Sequence, residues 1–244
     1  AGAEKLQEEV RSEFKLKFNK DILEGYGATE VAPVASVNVP NQLSPDNWIV
    51  QVAWKPGSVG MPLPGTSLRI VDPQSFEALP IGTAGMVLVS GAQVMPGYLK
   101  NEKKTQEVLR VIDGKCWYVT GDKGYVDDDG FLYIIDRYSR FAKISGEMVS
   151  LTAVEDALAG AFPQYGLRCQ TAVVTRPDED KGEALICCTN EPKLTLAEIR
   201  DAIKAKGLGN LCVPKEIALV KEIPKLGTGK VNHRELQTMV QAMK

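Results

Sequence analysis

The chain has few of the residues that build metal sites or disulfide frameworks. Its 244 residues include one histidine, His233, and five cysteines that show no C-x-x-C spacing. An odd number of cysteines in scattered apolar segments excludes a disulfide scaffold and argues against a structural zinc site. We expect reduced, mostly buried thiols, as in a cytoplasmic protein, at Cys116, Cys169, Cys187, Cys188 and Cys212.

Long apolar runs and a strong charge of either sign are also missing. No apolar stretch approaches the roughly 20 residues that span a bilayer, and the first residues show no feature of a signal peptide. The formal net charge is −2, which gives no reason to expect a nucleic-acid partner or a polybasic membrane contact. With 44% hydrophobic and 25% charged residues, the composition predicts a globular, cytoplasmic protein without a membrane span.

The chain further lacks a loop that could cradle the outer phosphates of a nucleotide. It contains no G-x-x-x-x-G-K-[ST] segment and no Ser/Thr/Gly-rich run that ends in lysine, the patterns that bind phosphate through backbone N–H groups. The chain starts Ala1-Gly2-Ala3, without a methionine. We therefore expect it to be a piece of a longer protein.

Residues 1–138 are predicted to be rich in β structure. An amphipathic helix is predicted over Glu4–Phe18 and a strand over Ile22–Glu24, followed by a glycine turn at Gly25–Gly27. After residue 30, short apolar runs alternate with Pro and Gly turn signals, which is typical of a barrel-like sheet. The predicted strands are Leu68–Val71, Met86–Val89, Trp117–Thr120 and Phe131–Ile135.

Residues 139–244 are predicted to form a small α+β domain, giving an α/β and α+β protein of two parts, 1–138 and 139–244. About 100 residues is a normal size for an independent unit. Ser150 or Thr152, and Thr195, are expected to cap helices. The predicted helices are Leu151–Ala161, Leu196–Lys206 and His233–Met243. The predicted strands are Phe141–Ile144, Gln170–Thr175, Ala184–Thr189 and Ile217–Val220.

A carboxylate, Asp122, and a guanidinium, Arg137, are separated by one predicted strand in the first part of the chain. Asp122 is predicted to end a strand on a glycine turn, where its carboxylate could accept hydrogen bonds from two neighbouring hydroxyls, such as those of a ribose. Arg137 follows the next predicted strand and could donate to the same sugar. The simpler interpretation is a turn and a surface ion pair, which each motif alone would favour. Their order and separation favour a sugar site.

The segment Tyr26-Gly27-Ala28-Thr29-Glu30 carries groups suited to a nucleotide. A threonine hydroxyl can bind a phosphate oxygen, a tyrosine can stack on a purine, and Glu30 is a carboxylate that could bind Mg²⁺ together with phosphates. The alternative is that Thr29 caps a helix and Glu30 lies in its first turn.

Lys230 ends the loop Pro224-Lys225-Leu226-Gly227-Thr228-Gly229. Glycines let such an arm reshape and approach a phosphate closely, so its lysine could stabilise charge on a reacting phosphoryl group. The alternative is a solvent-facing lysine in a flexible loop. His233 follows without partners in the sequence and is interpreted as structural. Gly146 marks a turn after the strand Phe141–Ile144.

These motifs, in this order, resemble the C-terminal part of the adenylate-forming superfamily of AMP-forming ligases. The resemblance implies that Tyr26, Gly27, Thr29 and Glu30 contact adenine, the α-phosphate and Mg²⁺, with Gly2-Ala3-Glu4 lining the adenine pocket. It assigns ribose binding to Asp122 and Arg137 and adenylation to Lys230. It also makes residues 137–143 a hinge segment, in which the family usually has aspartate or lysine at the position of Ser139. The Gly146 turn would line a pantetheine tunnel after the lid domain rotates.

Three segments are similar to a narrower subfamily, the synthetase half of bifunctional 2-acylglycerophosphoethanolamine acyltransferase/acyl-acyl carrier protein synthetases. They are residues 23–30, 141–151 and 181–185. The likeness implies ATP and Mg²⁺, a long-chain fatty acid, and the phosphopantetheine thiol of acyl carrier protein as acceptor. It also implies a missing N-terminal half that holds the phosphate cradle, and association of the whole protein with the cytoplasmic face of a membrane.

Two other functions stay open at the level of sequence. An acyl-CoA synthetase of the same fold would use CoA instead of a carrier protein. A non-catalytic module that only binds a nucleotide or a carrier would need no role for Lys230.

Overall fold

The computed structural model describes residues 1–2, 6, 8–166, 168–227 and 229–243. It divides into two compact units, Ala1–Tyr138 and Ser139–Lys244. The fold is mixed α/β and strand-rich, as predicted; the described residues form three sheets in the first unit and one in the second, each unit also carrying short helices. In the described part of the chain, no helix is both long enough and apolar enough to cross a bilayer.

The first unit contains two helices and ten strands among its described residues. In chain order these are α1 (Glu8–Phe18), β1 (Gly25–Gly27), β2 (Val34–Val37), β3 (Gln42–Leu43), β4 (Val50–Gln51), β5 (Met61–Pro62), β6 (Ser67–Val71), β7 (Gly85–Ser90), α2 (Glu102–Val108), β8 (Leu109–Ile112), β9 (Lys115–Val126) and β10 (Leu132–Arg137). Short 3₁₀ turns cover Thr29–Val31 and, at the boundary with the second unit, Tyr138–Arg140.

The core of this unit surrounds strand β7, the middle of a sheet with the order β10-β9-β7-β6, in which β8 also pairs with β9. Side chains of a strand alternate between its two faces, and here both faces are covered. Val87 and Val89 pack with Leu132 in one cluster, while Leu88 packs with Trp117 in the other. The apolar run that predicted this strand is therefore continuous because both faces are buried.

The start of the unit differs from the prediction. The strand lies at Gly25–Gly27, where a turn was expected, and Ile22–Glu24 is not a strand. Strand β1 pairs antiparallel with β2, and a Cβ on Gly27 would lie 1.8 Å from the carbonyl oxygen of Pro33. The two glycines thus permit the backbones of two strands to approach closely. In the sequence alone, the same glycines are typical of a turn.

Helix α1 also differs in part. It begins at Glu8, and of the predicted start, residues 4, 5 and 7 lie outside the described residues. None of its residues is buried, although Phe14 and Phe18 contact one another with ring centroids 4.7 Å apart. The helix is held instead through Arg11, whose guanidinium donates to the buried carboxylate of Glu24 at 2.5 Å.

The second unit is a five-stranded sheet with helices on both faces. Its elements are β11 (Phe141–Ile144), β12 (Glu147–Ser150), α3 (Leu151–Leu158), β13 (Thr171–Asp178), β14 (Gly182–Thr189), α4 (Leu196–Ala205), β15 (Glu216–Leu219) and α5 (His233–Ala242). The strand order is β12-β11-β14-β13, with β15 parallel to β14. Helices α3 and α4 cover one face and α5 covers the other, so the predicted α+β arrangement is confirmed.

Helix termini in this unit follow the sequence signals closely. Ser150 accepts a hydrogen bond from the Ala153 N–H at 3.1 Å and so caps α3. Thr195 and Glu198 form a reciprocal capping box at the start of α4. Helix α3 ends at Leu158, three residues before the predicted end at Ala161.

The cysteines are less buried than predicted. All five are free, but only Cys187 and Cys188 are buried, whereas Cys169 and Cys212 are half-buried and Cys116 is exposed. Cys187 and Cys188 are neighbours on β14 and enter the two opposite cores of the second unit. Burial raises the pKa of each of these two thiols to about 12, which keeps them protonated and unreactive.

Candidate functional site

Asp122 lies in a bulge in the middle of a long strand, not at a strand end as predicted. On β9, Val119 pairs with Leu88 and Lys123 pairs with Met86, so three residues of β9 face Val87 alone. The Thr120 hydroxyl donates to the Val87 carbonyl at 2.8 Å and accepts from the Asp122 N–H at 3.0 Å. Gly121 has a positive φ of 77°. A bulge of this kind re-aims a side chain while the strand continues.

Three residues from distant parts of the sequence meet at this bulge. The Tyr26 hydroxyl donates to Oδ2 of Asp122 at 2.5 Å. Arg137 pairs with Asp122 in the β9–β10 register, and its Nε lies 3.1 Å from Oδ1. Asp122 is 5% exposed, whereas the side chain of Arg137 is 69% exposed. The ion pair therefore has a buried carboxylate held at its base and a guanidinium that still reaches solvent.

Burial controls the protonation of this cluster. It raises the pKa of Asp122, against the opposing effects of the Tyr26 hydrogen bond and the Arg137 charge. It also raises the pKa of Tyr26 far above its ordinary value, with the Asp122 charge adding to the effect. Tyr26 consequently remains a hydrogen-bond donor, and the carboxylate depends on its two partners to stay ionised.

Glu30 lies close by, on the 3₁₀ turn Thr29–Val31. Its Oε1 accepts a hydrogen bond from the Tyr98 hydroxyl at 2.5 Å, an interaction that raises the pKa of Tyr98 to about 12. Tyr118 lies within electrostatic reach of both Glu30 and Asp122, and burial followed by these charges raises its pKa. The predicted phosphate-binding and sugar-binding motifs thus lie around one tyrosine.

Thr29 does not cap a helix. Ala28 occupies the cap position of the short 3₁₀ turn, and the Thr29 side chain is exposed. Its hydroxyl is therefore placed at the surface beside Glu30. The alternative interpretation expected a helix to start here, and the structure has only a three-residue 3₁₀ turn, Thr29–Val31.

The first residues of the chain lie along the outer edge of β1. The Gly25 N–H donates to the Ala1 carbonyl at 2.8 Å, and a Cβ on Gly2 would lie 3.3 Å from the Gly25 carbonyl oxygen. Gly2 is therefore a neighbour of the strand that carries Tyr26. Ala3 and Glu4, predicted to line the same pocket, lie outside the described residues.

In the second unit, Lys230 closes a tight turn. The Leu226 N–H donates to the Lys230 carbonyl at 2.7 Å, and Lys225 and Val231 form an isolated β-bridge. The Asn232 N–H donates to the Pro224 carbonyl at 2.7 Å, and Asn232 then caps α5. The arm is thus anchored at both of its ends to the start of a helix; Thr228, inside it, lies outside the described residues.

Gly146 and Ser145 form the two-residue turn of the β11–β12 hairpin. Both have positive φ, 51° for Ser145 and 88° for Gly146, as a type I′ hairpin turn requires. The turn is held to the next hairpin because the Ser145 N–H donates to the Lys181 carbonyl at 2.9 Å. Gly146 itself is exposed.

His233 belongs to a charge cluster in the second unit. Its Nδ1 lies 3.1 Å from a guanidinium nitrogen of Arg140 and 3.7 Å from the half-buried carboxylate of Glu155. Burial, together with the Arg140 charge, lowers the pKa of His233 to about 4. Arg140 donates to Glu155 at 2.5 Å. The histidine is neutral at physiological pH and fills a structural position, in agreement with its interpretation from the sequence.

Sequence reasoning missed the roles of Tyr98, of Tyr118 and of the Tyr26 hydroxyl. Tyr98 and Tyr118 were given no role, and Tyr26 was considered only as a stacking ring. The pairing of Tyr98 with Glu30 spans 68 positions. No local pattern specifies a contact of that separation.

Two family models match the chain. One, described as AMP-binding enzyme, covers residues 1–99, and another, described as AMP-binding enzyme C-terminal domain, covers residues 169–230. The chain belongs to the AMP-binding enzyme superfamily. The segment that contains Tyr26 and Glu30 lies within the first matched range, and Lys230 is the last residue of the second.

Two curated relatives of this chain are CoA ligases. A long-chain-fatty-acid–CoA ligase of Salmonella typhimurium is 35% identical over 218 residues, covering 88% of this chain and 35% of that protein. The 4-coumarate–CoA ligase 2 of Nicotiana tabacum is 31% identical over 246 residues, covering 99% and 43%. The chain therefore spans less than half the length of these relatives.

Solved AMP-binding structures have the same fold. ATP-bound MatB from Rhodopseudomonas palustris matches with a TM-score of 0.75 and 25% identity, covering 99% of this chain and 45% of that one. The anthranilate CoA ligase AuaEII in complex with anthranoyl-AMP matches with a TM-score of 0.69 and 26% identity, covering 100% and 45%.

Proposed function

We propose that the chain is the C-terminal part of an ATP-dependent, AMP-forming ligase that activates a long-chain fatty acid. The whole enzyme condenses the fatty acid with ATP to give acyl-adenylate and pyrophosphate. A thiol then attacks the acyl carbon, which forms a thioester and releases AMP. The observation that carries the proposal is the buried Asp122 carboxylate, held by Tyr26 and Arg137 at a strand bulge in an AMP-binding chain.

The chemistry of this cluster suits a ribose. A carboxylate can accept hydrogen bonds from two adjacent hydroxyls, and the exposed guanidinium of Arg137 has further donors for the same sugar. Because Tyr26 and Arg137 hold Asp122 in advance, a nucleotide would not have to order it on binding.

Magnesium fits the donor set beside this site. Mg²⁺ usually takes one or two carboxylates together with phosphate oxygens and waters, and Glu30 supplies a single carboxylate whose orientation is fixed by Tyr98. Magnesium would neutralise phosphate charge during adenylate formation. The exposed hydroxyl of Thr29 would bind an α-phosphate oxygen.

Lys230 is proposed to stabilise the negative charge that develops on the α-phosphoryl group during attack by the fatty-acid carboxylate. A single preorganised donor of this kind is typically worth ~3–4 kcal/mol of barrier. In the second half-reaction, the unit that carries Lys230 rotates near Ser139, and the Gly146 turn then lines the path of the incoming thiol.

Two thiols remain candidates as acceptor. The likeness of residues 141–151 to the bifunctional subfamily supports the phosphopantetheine of acyl carrier protein, with the acyl group used to acylate 2-acylglycerophosphoethanolamine at a membrane. The names of the curated relatives support CoA, which ends in the same thiol. We propose the carrier protein first and CoA as the second candidate.

ATP–pyrophosphate exchange in the whole protein tests this function. Exchange should depend on a long-chain fatty acid, and Lys230→Ala should reduce it by roughly 100- to 1,000-fold. Transfer from preformed acyl-adenylate to the thiol should survive in that variant. Equal exchange in wild type and variant would refute the role of Lys230. The 244-residue chain alone should give no exchange, because it has no phosphate cradle.

A further inference from the structure

A groove in the second unit is not used by the proposed reaction. It has a volume of about 550 Å³ and opens between helix α4, the end of β11 and the segment that leads into β15. We call it the α4 groove. Its basic residues are Lys181, Arg200, Lys204 and Lys215.

Most of the basic charge at the rim has no acidic counterpart within the groove. Arg200 and Lys204 are one helical turn apart on α4, and both are exposed. Lys215 is paired with Asp178 at 2.5 Å. Among the described residues that line the groove, Glu183 is the one carboxylate, and it accepts a hydrogen bond from the Lys143 N–H at 2.6 Å. The rim therefore presents a positive potential.

The floor of the groove is apolar. Ile144 and Leu185 lie beneath it, only 4% and 1% exposed. The half-buried side chains of Leu196, Leu211 and Val213 present its apolar surface. A phosphate group would use the rim and gain nothing from such a floor. An amphipathic helix with acidic residues beside an apolar ridge would use both, as helices do in apolar grooves with a charged border.

The groove adjoins the turn that we assign to the thiol's path. Ile144 lines the groove and directly precedes the Ser145–Gly146 turn, and Ser145 donates to the carbonyl of Lys181 on the rim. A protein seated in the groove would thus have its surface next to that turn.

We propose that the α4 groove docks an acidic amphipathic helix of the protein that carries the accepting phosphopantetheine thiol. The inference rests on the proposed function and decides between its two acceptors in favour of a carrier protein. Arg200 and Lys204 provide the charge recognition, and the apolar floor provides the buried contact.

A binding experiment with the 244-residue chain and fluorescently labelled holo-acyl carrier protein tests the groove. The double variant Arg200→Glu/Lys204→Glu places like charges against an acidic helix and should raise the Kd roughly tenfold or more. The matched control Lys193→Glu/Lys221→Glu makes the same change of charge at exposed positions outside the groove, and should change the Kd by no more than about twofold. Far-UV circular dichroism verifies that both variants are folded.

Three results would overturn the proposal. The first is absence of carrier binding by the wild-type chain, and the second is an equal Kd for wild type and the groove variant. The third is a loss of carrier affinity in the control variant as large as that in the groove variant. CoA is the second ligand to measure. If the groove variant lost affinity for CoA but kept its affinity for the carrier, the groove would be a phosphate site instead.

Turnover by the whole protein separates this inference from the proposed function. The groove variant should keep ATP–pyrophosphate exchange, raise KM for the carrier roughly tenfold and leave kcat nearly unchanged. A wild-type protein without exchange would refute the ligase function itself. Carrier acylation that is insensitive to the groove variant would reject the groove and leave the ligase function standing.

Discussion

Replacing Tyr26 by phenylalanine tests the central contact of the proposed nucleotide site, because it removes one hydroxyl and keeps the ring. That hydroxyl donates to Asp122 at 2.5 Å, and Asp122 is 5% exposed. A hydrogen bond to a charged group contributes about 1.5–3 kcal/mol, and its loss leaves a buried carboxylate with fewer partners. We expect the free energy of unfolding of the first unit to fall by about 1.5–3 kcal/mol at pH 7.

The effect should depend on pH with a defined sign. Burial raises the pKa of Asp122, and the Tyr26 hydrogen bond opposes that rise, so the variant's Asp122 should have a still higher pKa. Below that pKa the carboxyl is protonated and no longer needs a partner for a charge. The difference between wild type and variant should therefore be largest at neutral pH and should shrink as the pH is lowered through the titration of Asp122.

Tryptophan fluorescence during urea unfolding measures this difference in the first unit specifically. All three tryptophans, Trp48, Trp54 and Trp117, lie in that unit, and Trp117 is buried in its core. Tyr125→Phe, on the same strand as Asp122, is the matched control and should cost much less. A loss below about 0.5 kcal/mol at pH 7, or one that is independent of pH, would refute the reasoning.

Three further predictions concern other residues. Gly27→Ala should destabilise the first unit by more than about 2 kcal/mol in the same assay, because its Cβ would lie 1.8 Å from the Pro33 carbonyl oxygen; a loss below 1 kcal/mol would contradict the close approach. Glu30→Gln in the whole protein should keep the Tyr98 hydrogen bond but raise the Mg²⁺ concentration for half-maximal exchange roughly tenfold or more; an unchanged Mg²⁺ dependence would exclude Glu30 as the ligand. Burial, with an adjacent guanidinium, lowers the pKa of His233 to about 4 from 6.5, so the unfolded chain binds the proton more readily. The second unit should lose at most about 3 kcal/mol as the pH falls from about 6.5 to about 4. His233→Gln should reduce that loss, which circular dichroism at several pH values would measure, and an identical pH profile would count against the assignment.

Local patterns predicted the second unit well. Its helices bury a stripe with a helical period, and its caps are short-range interactions, as at Ser150 and Thr195. The strand Phe141–Ile144 has the predicted bounds. Such features depend on residues within a few positions of one another, so the sequence suffices to specify them.

Glycine was the residue that sequence reasoning interpreted least well. Gly25 and Gly27 predicted a turn but lie in a strand, because what requires them is the neighbouring backbone of β2. Gly121 predicted the end of a strand, but it belongs to a bulge that lets β9 continue past Asp122. A glycine indicates that the backbone is unusual, and only its spatial neighbours reveal whether the cause is a turn, a bulge or a close approach.

The sequence by itself determined the order of the two parts, the residue types of the motifs proposed to bind a nucleotide and the absence of a phosphate cradle from these 244 residues, since these are properties of composition and local spacing. Tertiary structure alone decided that Tyr26 holds Asp122 across 96 positions and that Tyr98 holds Glu30 across 68. It also decided that α4, β11 and the segment before β15 enclose a basic groove. Contacts of this separation arise from sheet register and strand bulges, which depend on how whole strands pair.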